Sequence, residues 1–96
     1  MAAKPLQAVL TDLSAQSREK LAREALALTV ARKAASDAAL KGLNVATLPL
    51  GPANLERTEA ARELVAALKG FSFEWVETVG RDGVTGWEVR ILWPVA

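Results

Sequence analysis

The sequence has no cysteine, no histidine and no tyrosine. Cysteine and histidine are the usual protein ligands of zinc, haem and iron–sulfur clusters, so their absence excludes those centres and any disulfide framework. It also removes the side chains most often used as catalytic bases and thiol nucleophiles. We therefore expect a protein that is not an enzyme and that holds neither a metal nor a cofactor.

Strong charge of one sign and long apolar runs are also lacking. The chain has 12 basic and 11 acidic residues, a net charge of +1, and a composition of 51% hydrophobic and 24% charged residues. Such a composition is typical of a folded globular protein. The apolar stretch near the N-terminus stops at Asp12, far below the roughly 20 residues that span a membrane. We expect one domain over residues 1–96, located in the cytoplasm without membrane contact.

Residues 14–41 predict a long N-terminal helix. Nine alanines lie between residues 15 and 41, and alanine has the highest helix propensity. Ser14 has a side chain suited to an N-cap, and Gly42 is a typical helix stop. A short helix over residues 5–13 before it is an open alternative.

The length and the apolar pattern of this helix both suggest that it needs more than one neighbour. At about 1.5 Å per residue it would extend roughly 42 Å, whereas a compact chain of this size is about 32 Å across. Leu21 and Leu28 lie on one side of it, and Leu26 and Val30 lie on another. Either a second copy covers the surplus, or the helix bends near Ser36 and packs within the chain.

A short strand and a second helix follow. Residues 43–48 predict the strand, with a loop as the alternative, and Pro49 suits only an edge or an end of a sheet. The next segment has apolar residues at helical spacing: Ala61, Leu64, Val65 and Leu68. Gly70 ends this predicted helix. If the strand belongs to the same sheet as the C-terminal segment, it runs parallel to the first strand of that segment.

Residues 71–93 contain all the phenylalanine and tryptophan of the chain and predict an antiparallel hairpin. Apolar and polar residues alternate along both strands. A three-residue loop over residues 81–83 puts both apolar sets on one face and places Gly83 at the left-handed position of the turn. The resulting register pairs Phe71 with Trp93, Phe73 with Ile91, Trp75 with Val89, Glu74 with Arg90 and Glu77 with Trp87.

The apolar face of this hairpin needs a cover, because an isolated hairpin is only marginally stable in water. We interpret Phe71, Phe73, Trp75 and Ile91 as core. Trp87 lies nearer the turn, where burial and partner contact are equally compatible with the pattern. The predicted fold is α+β, with the helices packed on one face of a small two- or three-stranded sheet.

Without catalytic groups, the chain is expected to act through contact. We predict a small protein-binding module, regulatory or inhibitory, that works through protein–protein contacts as a homodimer. The residues assigned to partner contact are Trp87, Glu77, Arg81 and Asp82 at the hairpin tip, and Arg18, Arg32 and Lys33 on the long helix. The sequence does not identify the protein partner.

The alternative is a nucleic-acid-binding accessory protein that uses the basic N-terminal helix. Residues 1–41 carry seven basic and four acidic side chains, whereas residues 42–96 carry five and seven. The basic side chains are scattered around the helix and mixed with acids, although a phosphate-binding surface would gather them on one side. Protein contact is therefore the preferred reading.

Overall fold

Two helices, a strand, a third helix and a hairpin follow one another along the chain. The computed structural model describes residues 5–94, so the first four and last two residues of the predicted 1–96 domain lie outside the described part. The elements are α1 (Leu6–Ala25), α2 (Leu28–Leu40), β1 (Val45–Gly51), α3 (Glu59–Ala67), β2 (Ser72–Val79) and β3 (Thr85–Leu92). This element order confirms the predicted α+β fold.

The three strands form one antiparallel sheet in the order β1-β3-β2. β1 and β2 both run antiparallel to β3, so they are parallel to each other, as predicted, and β3 separates them. The centre of the sheet is therefore the last strand of the chain. Its residues Val89 and Ile91 are completely buried.

β1 is an edge strand, as predicted, but it spans Val45–Gly51 rather than residues 43–48. The Trp93 N–H donates to the Asn44 carbonyl oxygen at 3.1 Å. Because the residues of an antiparallel strand alternate in hydrogen-bonding direction, every second backbone group from Asn44 onward points to β3, and Pro49 points away. The missing N–H of Pro49 therefore breaks no bond within the sheet, and the strand continues past it.

The hairpin has the predicted register. Phe73 lies opposite Ile91, and Trp75 lies opposite Val89. The Gly80 N–H donates to the Val84 carbonyl oxygen at 2.9 Å, which closes the loop over residues 81–83. Gly83 has a φ of +80°, the left-handed conformation that such a loop requires and that glycine adopts without strain.

The predicted single helix over residues 14–41 is two helices, and the predicted N-cap at Ser14 is wrong. α1 begins directly after Pro5, so residues 5–13 and the first half of the long segment form one continuous helix. A proline at a helix start costs little, because the first N–H groups have no partner within the helix. At the other end, Gly42 ends α2 as predicted, with a φ of +81°.

The break between α1 and α2 lies at Leu26 and Ala27 rather than near Ser36. Ala27 has the extended angles φ −59° and ψ 138°, and neither glycine nor proline is present there. The core supplies the reason. Ala22 and Ala31 are both 0% exposed, yet in a continuous helix nine residues of about 100° each would put them on opposite sides. The break turns both alanines toward the core. Leu26, which lies between them in the sequence, is buried as well.

The core lies between β1 and β3 on one side and the helices on the other. Inward-facing residues of β1 are buried and the intervening ones are exposed, so the helices cover one face of the sheet. α1 and α2 both pack against β1, and α1 also packs against α3. Ile91 is core as predicted, whereas Phe71, Phe73 and Trp75 pack against the core and remain partly exposed, because β2 is the edge strand furthest from β1.

Candidate protein-contact surfaces

The predicted hairpin-tip residues lie together at one end of the sheet. Trp87 is half-buried against the core and lies opposite Glu77 on β2 and Gly51 on β1. Arg81 and Asp82 are exposed in the loop. The Asp82 carboxylate accepts the Val84 N–H at 3.2 Å, so it also stabilises the turn. The tip is a small, mixed-charge surface with only part of one aromatic ring exposed.

The predicted basic contact residues belong to different helices. Arg18 is exposed on α1, whereas Arg32 and Lys33 are exposed on α2, beyond the break. Another base of the same segment, Arg23, already has acidic neighbours: it lies 3.4 Å from Glu63 and 3.7 Å from Glu59. The structure therefore divides the basic residues between two helix axes instead of gathering them on one face.

The N-terminal half of α1 is an exposed arm with an apolar stripe, which the sequence analysis did not single out. The molecule measures 61 × 34 × 17 Å with a radius of gyration of 16.0 Å, well above the roughly 12.5 Å of a compact chain of this length. Four apolar residues of the arm are exposed: Leu6 (71%), Val9 (39%), Leu10 (52%) and Leu13 (53%). Val9, Leu10 and Leu13 follow Leu6 by three, four and seven residues, which places all four on one side of the helix.

A carboxylate and an arginine attach the other half of α1 to α3. Glu19 accepts the Glu59 N–H through Oε1 at 2.6 Å, so a side chain of α1 caps the first turn of α3. Thr58, the N-cap of α3, accepts the Ala61 N–H at 3.2 Å. A negative charge at a helix N-terminus is favourable, because the free N–H groups and the helix dipole are positive there. This connection links the C-terminal half of α1 to the N-terminus of α3.

A groove of about 320 Å³ lies where the break between α1 and α2 faces α3. Its apolar lining comes from the break, from the start of α2 and from α3: Leu26, Ala27, Leu28, Ala60, Leu64 and Ala67. Its charged groups are Arg23 and Glu63, which pair with each other at 3.4 Å. A small-molecule site normally has a few converging polar groups that are free to bind the ligand. This groove fits an apolar side chain better than a polar metabolite.

An apolar trough of about 360 Å³ runs between α3 and the edge strand β2. Its lining residues are Glu56, Ala61, Arg62, Val65, Ala66 and Trp75. Val65 belongs to the apolar repeat that predicted this helix, and it is 43% exposed. The reason is that α3 packs against α1 and leaves its other side next to β2 uncovered.

The acidic residues between positions 5 and 94 form no metal-binding cluster. That part of the chain has no group of three or more histidine, cysteine, aspartate or glutamate residues placed to hold a metal ion. On the open face of the sheet, the Arg90 guanidinium donates to the Glu88 carboxylate at 3.1 Å, and Glu74 lies opposite Arg90. These two carboxylates therefore share a charge cluster with a base, as an ordinary surface does.

Comparison of the chain with protein-family models, curated proteins and solved structures found no match. A search of the described residues also found no helix with the length and apolar character needed to cross a membrane. Functional inference consequently rests on the exposed surfaces themselves. The three with the clearest chemistry are the arm of α1, the groove between the three helices and the trough beside β2.

Proposed function

We propose that this protein is a small, non-enzymatic, regulatory protein-binding module that forms a homodimer through the arm of α1. The supporting observation is the exposed apolar stripe of Leu6, Val9, Leu10 and Leu13 on a helix that projects from the domain. Apolar side chains on one side of an amphipathic helix are normally buried against a neighbour. The neighbour here is a second copy of the same arm.

The chemistry of the arm favours a second copy over a charged partner. Asp12 is the only charged residue between positions 5 and 17, so the arm offers little for a strongly charged partner to recognise. In an antiparallel pair centred between Val9 and Leu10, each Leu6 lies against Leu13 of the second copy. The stripe itself contains no charged side chain, so no like charges oppose each other within it. The stripe is therefore complementary to itself under a two-fold axis.

The size of the stripe predicts a weak dimer. The exposed parts of the four side chains equal about two fully exposed residues per copy, or about four per dimer. Burying them yields about 6 to 12 kcal/mol, at about 1.5 to 3 kcal/mol for each side chain. Association itself costs at least about 4 kcal/mol. A net gain of at most about 8 kcal/mol corresponds to a dissociation constant of about 1 µM or weaker.

Light scattering across a concentration series tests this proposal. The mass should rise from that of the 10.2 kDa chain toward twice that value between about 10 µM and 1 mM. Leu10→Glu places a charge in the stripe and should keep the protein monomeric. Thr11→Glu is the matched control, because Thr11 is exposed on the opposite side of the same arm. A monomer throughout the series, or equal dimerisation of both variants, would contradict the proposal.

The same samples distinguish protein contact from the nucleic-acid alternative. The separation of Arg18 from Arg32 and Lys33, and the pairing of Arg23 with two glutamates, make a phosphate-binding surface less favourable. We expect no binding to duplex or single-stranded DNA at low salt. Binding that weakens steeply as salt is added would support the accessory-protein alternative instead, because released counterions produce that dependence.

A further inference from the structure

We propose that the free edge of β2, together with the trough beside α3, binds an extended basic segment of another protein as a fourth strand of the sheet. This inference extends the proposed role in protein contact to a second surface, distinct from the arm of α1. Strand addition of this kind combines backbone hydrogen bonds along an edge with pockets for alternate side chains. Both components are present at β2.

The backbone of β2 is available along its whole outer edge. The Gly80 N–H donates to the Val84 carbonyl oxygen, so every second residue counted back from Gly80 forms its backbone bonds with β3. The residues between them, Phe73, Trp75 and Glu77, direct their N–H and C=O groups outward. Within the described residues, β2 pairs with β3 and with no other strand.

The two edges of the sheet differ in how well they resist pairing. The outer edge of β1 contains Pro49, and its register with β3 shifts between Pro49 and Gly51. Proline and bulges are common devices that prevent another strand from adding to an edge. β2 has neither, and its register with β3 is continuous from Ser72 to Val79. Only the β2 edge therefore remains suited to a new strand.

The trough receives the side chains on the helix side of the added strand. Trp75 extends from β2 into its lining, and Val65 and Ala66 line it from α3. Both Trp75 and Val65 keep exposed apolar surface. An apolar side chain of the added strand, next to Trp75, would cover this surface. The trough thus supplies a side-chain preference as well as a backbone edge.

Charge indicates a basic segment and disfavours a second copy of β2. The strand carries two exposed acids, Glu74 and Glu77, and no base; Arg90, opposite Glu74 on β3, pairs with Glu88. Glu56 adds a third acid at the trough, against a single base, Arg62. Two copies of β2 side by side would bring four glutamates together, whereas lysine or arginine in a different segment would be attracted.

A synthetic peptide tests the proposal directly. The probe has eight residues, the length of β2, with valine at the position next to Trp75 and lysine on both faces of the strand elsewhere. It carries a fluorophore for anisotropy measurements. We expect it to bind the full-length protein, and a peptide with glutamate in place of lysine to bind at least about tenfold more weakly. Two further peptides are methylated on their backbone nitrogens, one at the odd-numbered and one at the even-numbered residues. Each lacks the N–H groups along one of its two edges. One of the two methylated peptides should lose binding and the other should retain it.

Variants of the protein locate the site. Val65→Lys puts bulk and positive charge into the trough and should weaken peptide binding at least about tenfold. Val30→Lys is the matched control, because Val30 is equally exposed (43%) but lies on α2, away from the trough. Glu77→Pro should block the edge without removing a bond to β3, and Glu77→Gln controls for its lost charge. Circular dichroism confirms that each variant is folded.

The outcomes separate this inference from the dimer. Failure of the lysine–valine peptide to bind, equal binding of the two methylated peptides, or equal effects of Val65→Lys and Val30→Lys would overturn strand addition. Leu10→Glu lies on the arm and should leave peptide binding unchanged. A protein that is monomeric but binds the peptide would refute the arm dimer alone.

Discussion

Replacing Ile91 by alanine tests the central claim of the fold, that the middle strand β3 turns its fully buried residues, Val89 and Ile91, toward the helices. Ile91 is 0% exposed, and its neighbours across the sheet are Ala46 on β1 and Phe73 on β2. The Ile91→Ala variant removes three buried carbon atoms from a site enclosed on both sides by strands. The surrounding strands are held by their hydrogen bonds, so they cannot close around the resulting cavity.

The expected loss follows from the size of that cavity. Three methylene equivalents at about 0.8 kcal/mol each give about 2.4 kcal/mol, and the unfilled space raises the total to about 3 to 4 kcal/mol. A chain of this length has a free energy of unfolding of about 5 to 14 kcal/mol. At about 4 to 8 °C per kcal/mol, the melting temperature should fall by roughly 12 to 30 °C.

Urea denaturation followed by tryptophan fluorescence measures this loss. With a slope of about 1 to 3 kcal/mol per molar urea, the midpoint should drop by more than about 1 M. Val79→Ala is the control, because Val79 is 70% exposed on β2 and should cost less than about 0.5 kcal/mol. Phe73→Ala should fall between them, because Phe73 is only partly buried. A loss below about 1 kcal/mol for Ile91→Ala would refute this description of the core.

Three further predictions concern the turn, the helix break and the surface ion pairs. Gly83→Ala forces a φ of +80° on a residue with a side chain and should lower the free energy of unfolding by about 1 kcal/mol; no change in urea midpoint would contradict the turn geometry. Ala22→Leu overfills a site that is 0% exposed and should lower the free energy of unfolding by about 1 to 3 kcal/mol in the same assay. No loss of stability would show that the helices have room to separate. Arg23→Ala removes the exposed contacts to Glu59 and Glu63 and should cost less than about 1 kcal/mol, so a larger loss on thermal melting would indicate a structural role for that arginine.

The hairpin was predictable because its signals are local. Alternation along residues 71–93 fixes which side chains share a face, and a one-residue slip would turn the whole apolar set to the opposite side. The requirement for a left-handed residue then selects a loop that ends at Gly83. Pro49 likewise indicated an edge strand, although it gave no information about which strand β1 would pair with.

The break between the first two helices was not predictable in the same way. Alanine-rich sequence favours continuous helix, and Ala27 has no local property that would end one. The break depends on contacts with residues distant in sequence, since it is burial beneath the sheet that determines the orientation of Ala22 and Ala31. Two apolar sides on one predicted helix were the available signal, and they indicated a change of axis as well as a second neighbour.

The contact surfaces were predictable only in part. The hairpin-tip residues do lie together, but their contact with a partner stays a prediction. The arm of α1 carried a readable signal, since Leu6, Val9, Leu10 and Leu13 already have helical spacing in the sequence. The trough beside β2 had no such signal, because its two walls come from elements whose separation is decided by tertiary packing.

The unassisted break at Ala27 links the interior of this protein to its furthest extremity. Since no glycine or proline enforces the bend, the burial of Leu26 has to maintain it against a sequence that otherwise prefers a straight rod of about 52 Å over residues 6–40. A substitution that loosens the packing around Leu26 would therefore be expected to change the angle between α1 and α2, and with it the direction of the arm.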